Sequence, residues 1–336
     1  MNTNEENFLI KHNDKISDKF GCNPYERSFD ELINRSVIIA DKDSGPTSHQ
    51  VSENLKNILK VEKAGHAGTL DPKVTGILLC GVGKATRLME YMLISFKEYV
   101  CLMYLHKPQE KNKIEKALKQ FTGKIKQTPP IISAVKREER IREIYYNQLL
   151  DIEDDNQHVL FRVGCQHGTY IRKLCTDIGE YLGCNAQMRE LRRTKAGPFR
   201  EEDGIISLDK LRNLYEMYRD TKNNSEEEEV LEKELRKYIR PYEEALADFK
   251  KVYVRDNAVD SIAHGSDLAI PGVAKLSDNI QIGEEIAMLT QKGELIGMGI
   301  AYLNSKDVIK KNKGAFIKTH KVFIDPEYYP SKWEFS

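Results

Sequence analysis

Two hydrophobic rhythms alternate along the chain. SVIIADK (36–42), GILLCGV (76–82), KEYVCLMYLH (97–106) and HVLFRVGC (158–165) are short apolar runs or period-two patterns, and they predict strands. Between them, apolar residues recur three and four apart, the spacing of helices with one buried face. GPT at 45–47 opens the first helix, with Thr47 and Gln50 spaced as a capping box and Val51, Leu55, Ile58 and Leu59 on the apolar side. ATRLMEYMLIS (85–95) predicts a helix with Leu88, Met89, Met92 and Leu93 inward. KIEKALKQF is another. GTYIRKLCTDIGEYLG (168–183) turns Ile171, Leu174, Ile178 and Leu182 inward and ends at Gly183. Strands and helices intermingle through short links, which predicts a mixed α+β domain rather than a regular βαβ series.

Further on, SLDKLRNLYEMYRD and VLEKELRKYIRPYEEALADF read as helices joined by a polar loop, TKNNSEEEEV (221–230). After Phe249 the texture changes to short apolar runs broken by turn residues, the pattern of a small β-rich domain. The first 35 residues are polar and aperiodic, an arm expected to pack on that C-terminal domain. The expected division is therefore an arm (1–35), a catalytic domain (36–249), and a β-rich domain with its tail (250–336).

Composition narrows the classes. Among 336 residues, Lys+Arg and Asp+Glu number 52 each, so net charge alone announces no polyanionic partner. Distribution says more: residues 113–200 hold 17 basic against 11 acidic side chains. Arg137, Arg140 and Arg192 are expected to belong to a salt-sensitive basic face there. No run of ~18 apolar residues predicts a membrane span, and the N-terminus lacks an apolar signal core, so a cytoplasmic protein is expected. Six cysteines, none in C-x-x-C spacing, read as reduced thiols rather than zinc ligands or a disulfide scaffold. GVGKAT (81–86) is not a phosphate loop, because Leu78 stands where a glycine is required and Ala85 where Ser or Thr is required.

The candidate chemistry centres on GHAGTLDPKVTG (65–76), which holds one acid, Asp71, between Glu62 and Glu90. Asp-Pro is a common turn dipeptide. The glycines, Thr69 and His66 make this loop more specialised than a turn needs, and they suit close approach of another molecule. A lone carboxylate can act as a nucleophile when a cation orients it; Arg172 and Lys97 are the candidates. Tyr99, in the KEYV strand, offers either a core side chain or a ring for a base to stack on. Leu191, before Arg192 and Arg193, is core or a site wall. A paired-carboxylate glycosidase is disfavoured because no second acid is visible.

Together these segments resemble the TruB-type pseudouridine synthases over residues 36–200, through GHAGTLDPKVTGILL, GKATR, KEYV, QTPPIISAVKR, GTYIRKL and LRRTKAGPF. Residues 252–303 resemble a PUA domain, an RNA-binding module, most clearly in AHGSDLAIPGV. The resemblance implies a mixed α/β catalytic domain that isomerises uridine in RNA without cofactor, metal or redox change. It implies Asp71 as the nucleophile, Tyr99 as the stacking tyrosine and Arg172 as the partner of Asp71. Leu191 then lines the pocket, His66 lies near the flipped nucleotide, and Lys73 and Lys97 are further substrate contacts. Ala67 stands where relatives often carry Ser. His264, Gly265, Pro271 and Gly272 are the implied RNA contacts of the PUA domain. The short KPQEKN link, the lack of a long insertion after SAVKR and the ending VFIDPEYYPSKW resemble the archaeal dyskerin-like branch. That branch implies a box H/ACA ribonucleoprotein in which guide RNA selects uridines in rRNA, with small partner proteins and possible guide-free action on tRNA. A stand-alone tRNA enzyme and a catalytically silent RNA-binding scaffold are the alternatives.

Overall fold

A computed structural model describes residues 7–128, 138–221 and 225–330. It divides into two compact units, Ile33–Ala245 and Met1–Leu32 with Leu246–Ser336.

The larger unit is built on one long sheet. In chain order its main elements are β1 (Arg35–Lys42), α1 (Ser48–Leu59), β2 (Thr75–Gly83), β3 (Lys97–Leu105), α2 (Lys111–Gln120), β4 (Gly123–Gln127), β5 (Arg140–Ile152), β6 (His158–Cys165), α3 (Ile171–Tyr181), β7 (Ala186–Ala196), α4 (Leu208–Asp220) and α5 (Ser225–Leu235). The strand order is Arg240–Pro241, β1, β2, β7, β3, β6, β5, β4. β2 and β7 meet in parallel over Thr75↔Arg192 and Gly76↔Arg193, while β7 and β3 run antiparallel over their length. Three strands thus converge where the candidate residues lie.

Local chemistry explains most elements. Thr47 Oγ1 accepts from the Gln50 amide (3.1 Å) and Gln50 Oε1 accepts from the Thr47 amide (2.8 Å), so both ends of the capping box are closed. Val51, Leu55 and Leu59 are buried along α1, with Ile58 at the edge. The inner faces of α2 (Ile114, Ala117, Leu118) and α3 (Ile171, Leu174, Ile178) pack with Cys101, Met103, Phe161 and Val163 of the sheet into one core. Five cysteines are buried, Cys22 is half-buried, and all six are free thiols.

Four expectations are corrected. Residues 85–95 form a 3₁₀ turn, Lys84–Leu88, and one short helix, Met89–Leu93, too short to bury a full stripe; Leu93 is 49% exposed rather than inward. SEEEE does not stay a loop but starts α5, where Glu226, Glu227 and Glu228 occupy the first turn, the end at which the helix dipole favours acids. The helix expected through residue 249 stops at Leu235. Arg240–Pro241 then pairs with β1, and Tyr242–Leu246 is a 3₁₀ turn; Pro241 cannot sit inside a helix. Finally, β5 and β7 are strands that the hydrophobic pattern did not announce.

The smaller unit is a seven-stranded sheet ordered Phe8–Ile10, Val273–Ser277, Lys250–Val254, Glu285–Thr290, Leu295–Ala301, Ala315–Val322, Leu268–Ala269. The N-terminal arm supplies its edge strand, with Phe8 opposite Ser277 and Ile10 opposite Lys275. Among the described residues no helix is long and apolar enough to cross a membrane.

Candidate active site

Asp71 is presented by a loop fixed at every turn. Ala64–His66 pairs antiparallel with β2, and the Ala67 amide donates to Leu79 O (2.9 Å). At Gly68 the backbone turns to φ +100°, a conformation that favours glycine. The chain returns through a turn in which the Val74 amide donates to Asp71 O (2.9 Å), with Pro72 at the position where its fixed φ is preferred. The turn reading of Asp-Pro is met, and the turn holds the Asp71 carboxylate exposed. Ser48 clamps Leu70 in both directions, accepting from its amide (2.8 Å) and donating to its carbonyl (3.2 Å). Beneath the loop the buried Lys42 ammonium donates to Asp43 O (2.9 Å), Pro72 O (2.9 Å) and Val74 O (2.8 Å).

Arg172 Nη2 donates to Asp71 Oδ2, and both side chains are about half exposed. The pairing joins segments 101 residues apart in sequence. Arg172 stands in the first turn of α3, and the buried Gln127 holds that end: its Nε2 donates to Tyr170 O (3.1 Å) and its Oε1 accepts from the Tyr170 amide (3.0 Å). Tyr99 and Leu191 project onto the same core from adjoining strands, both half-buried. A carboxylate held against a guanidinium in the open is able to attack an electrophilic carbon of a bound partner.

The other expected contacts differ in setting. His66 is half-buried, and burial followed by the charges of Arg193 and His49 lowers its pKa, which favours the neutral ring. Its Nδ1 is buried without a hydrogen-bond partner among the described residues. Lys73 is exposed beside Asp71. Lys97, expected to touch substrate, is instead buried: its ammonium donates to Met92 O (2.8 Å), Leu93 O (3.2 Å), Ser95 O (3.0 Å) and Ser95 Oγ (2.9 Å). Burial and the neighbouring Arg193 push its pKa down to about 7. Arg192, expected on a basic face, is held by Glu201 (2.6 Å) and Asp41 (3.1 Å), so its charge is locally balanced. The whole PPIISAVKR stretch (129–137), Arg137 included, lies outside the described residues.

In the smaller unit His264 ends the helix Asp256–Ala263, with Nδ1 2.9 Å from Asp260 O, and is exposed. Gly265 follows at φ +92°, open to its surroundings, and Pro271 is exposed. Gly272 is buried; a Cβ there would lie 2.9 Å from Ala258 Cβ, so its smallness serves packing. Glu153, Asp155 and His158 cluster at the β5–β6 turn, where Asp155 Oδ1 accepts from the Gln157 (2.7 Å) and His158 (3.0 Å) amides. That is turn chemistry.

Three residues near the site escaped sequence reasoning: Lys42, Gln127 and Arg193. Lys42 closes an apolar strand and Gln127 precedes a proline pair, neither of which marks function. Arg193 was visible only as one charge in RELRRTK, yet it is 1% exposed.

Comparison with known proteins places this arrangement. Residues 56–171 match the model of the TruB family pseudouridylate synthase N-terminal domain, and 172–247 match the tRNA pseudouridylate synthase B C-terminal domain. Residues 250–323 match the PUA domain and 2–52 the DKCLD domain. A probable tRNA pseudouridine synthase B of Methanocaldococcus jannaschii is 46% identical over 98% of this chain and 95% of its own length. One from Methanothermobacter thermautotrophicus is 45% identical over 97% and 98%. Among solved structures, an H/ACA ribonucleoprotein bound to a substrate RNA containing 2′-deoxyuridine includes a chain that aligns with TM-score 0.87 and 41% identity, covering 97% of each. A Cbf5–Nop10–Gar1 complex gives TM-score 0.87 and 43% identity, covering 97% of this chain and 96% of its counterpart. The two-unit plan, a TruB-type domain followed by a PUA domain, is shared with these relatives. The chain belongs to the TruB family of pseudouridylate synthases.

Proposed function

We propose that this protein isomerises uridine to pseudouridine as the catalytic subunit of a guide-RNA-directed H/ACA particle in the cytoplasm, acting on rRNA and also on tRNA. The observation that carries the reading is the exposed Asp71–Arg172 pair in a chain that aligns over 97% of its length with a chain of an RNA-bound H/ACA complex. Guide RNA, target RNA and small protein subunits are the proposed partners. His264, Gly265 and Pro271 are the proposed RNA contacts of the smaller unit.

In the chemistry, the target nucleotide leaves its stack, at roughly a few kcal/mol, and its ring settles between Tyr99 and Leu191. His66, neutral at working pH, fills the vacated space without bringing a charge into the stack. Arg172 orients the Asp71 carboxylate for attack on the sugar C1′ or the uracil ring. The C1′–N1 bond breaks, the uracil turns, C1′ joins C5, and the bond formed by the Asp71 oxygen breaks, returning the carboxylate. The proton on C5 leaves to a base, for which Tyr99 is the candidate, and N1 takes up a proton from water, so no atom or electron is gained or lost.

Tritium release from RNA labelled at uracil C5 tests this. Wild type should release tritium from a guided target when the small partners are present, and Asp71→Ala should release none. Release from guide-free tRNA alone would make a stand-alone enzyme the better reading. RNA binding with no release from either substrate would leave only a scaffold.

A further inference from the structure

Arg193 is a buried cation whose protein partners are oxygen dipoles. Its Nε donates to Ile77 O (2.7 Å) and its Nη2 to Gly68 O (3.3 Å). Tyr99 is its cross-strand neighbour and senses its charge. Among the described residues Arg193 has no carboxylate partner. Its backbone sits where three strands meet, paired with Gly76 of β2 on one side and Tyr99 of β3 on the other. Desolvating a guanidinium with no counterion is costly, so a residue that merely fills space there would be apolar.

We propose that Arg193 is a positioning residue for the isomerisation: one buried guanidinium fixes the Asp71 loop to the sheet and sets its charge beside Tyr99. This rests on the isomerase reading above. A guanidinium has donors and no acceptor. Its donors therefore need oxygens, and they find Ile77 O in β2 and Gly68 O at the left-handed bend from which the Asp71 loop departs. The loop is thus tied to the strand pair that carries Tyr99.

The electrostatic consequence follows. Burial raises the Tyr99 pKa, and Arg193 is the largest influence opposing it. The other titratable groups acting on the phenol are Cys165 of β6, which raises its pKa, and Asp71, which raises it slightly. Arg193 also disfavours charge on Lys97 and His66, so its field reaches across the floor of the site. A negative charge forming on the phenol or on a detached uracil meets this field favourably.

The test uses the full chain with its RNA substrate under single-turnover conditions, with Arg193→Gln and Arg193→Lys. Arg193→Gln should slow the chemical step ~10²-fold, leave RNA Kd within ~3-fold because a buried group makes no phosphate contact, and shift to higher pH the limb on which activity rises as the Tyr99 phenol loses its proton. Arg193→Lys keeps the buried cation without the fork, so it should restore the pH limb but not the rate. A second measurement needs no activity: ¹³Cζ-tyrosine NMR should give a higher Tyr99 pKa in Arg193→Gln than in wild type. If Arg193→Gln does not fold, Arg193→Lys must still slow the chemical step more than it weakens binding. Losses that track only the unfolded fraction, with the Tyr99 pKa and pH limb unmoved, overturn the proposal. An inactive wild type would instead count against the isomerase reading and leave the NMR comparison to judge Arg193.

Discussion

Lys42 shows how much a single buried donor can organise. Its three bonds join the end of β1 to the Asp71 turn, and each acceptor is a backbone carbonyl, Pro72 O accepting also from the Gly45 amide (2.9 Å). Lys42→Met keeps the volume and removes the donors. It should destabilise the unit by about 2–4 kcal/mol, the sum expected for several unsatisfied acceptors and a lost charge-assisted set. Denaturant midpoints would measure the loss, and a change under ~0.5 kcal/mol would mean the loop does not depend on Lys42. Lys97 makes a pH prediction. Its folded pKa, about 7, lies below the ~10.4 of an unfolded lysine. The unfolded chain therefore binds more protons between those values, and stability should rise with pH across that window, by up to about 1.4 kcal/mol per unit. Relative to Lys97→Met, wild type should gain stability from pH 7 to 9. A difference that stays flat with pH would show that its four oxygen acceptors, not burial, set the proton affinity.

At the scale of elements, the convergence of β2, β7 and β3 is what makes a site, and it depends on Gly76. That residue has φ +98°, and a Cβ there would sit 2.3 Å from Arg193 O and 2.8 Å from Arg193 N. Gly76→Ala should cost at least ~2 kcal/mol through strain and overlap, separate β2 from β7, and abolish tritium release even in the fraction that stays folded. A variant with wild-type stability and turnover would show that the two strands need not touch there. The same region marks what the sequence could disclose. β1, β2, β3 and β6 were legible because their buried faces are apolar, and α1 because its cap is spelled out in Thr47 and Gln50. Asp71, Tyr99 and Arg172 were marked as candidates by motif resemblance rather than by any spacing rule. β7 was not legible, because AQMRELRRTKA puts a buried arginine where a strand pattern expects an apolar residue. β5 was not either, since RIREIYYNQLLDI is only partly covered on its two faces and its alternation is blurred. α5 was misread because acids that look like a solvated loop are also good helix starters. Lys42, Gln127 and Arg193 were missed for a related reason: each does its work against backbone carbonyls and amides, which leave no trace in side-chain patterns.

Across the whole molecule, the two ends of the chain build one unit. Phe8–Ile10 completes the sheet at Val273–Ser277, and Phe8 packs edge-on against Tyr253 at 5.5 Å. Lys275 lies over both rings, at 5.2 and 4.1 Å. Further along the arm, Asp14 pairs with Arg255, and Lys292 Nζ donates to Phe20 O (2.6 Å) and Gly21 O (3.0 Å). Without the arm, Val273–Ser277 becomes an open edge, and such edges recruit other strands. A fragment of residues 246–336 should therefore be poorly folded and prone to associate. The same fragment with residues 1–32 joined ahead of it by a short flexible linker should fold cooperatively. The linker replaces a closure that the intact chain makes across more than two hundred residues, and closure entropy grows only slowly with length, so the joined form need not be much more stable than the native unit. Amide chemical-shift dispersion and a single thermal transition in the joined form, both missing from the fragment alone, would establish that the arm belongs to this unit. Equal dispersion in both would show the C-terminal residues to be self-sufficient and the arm an ornament on a finished sheet.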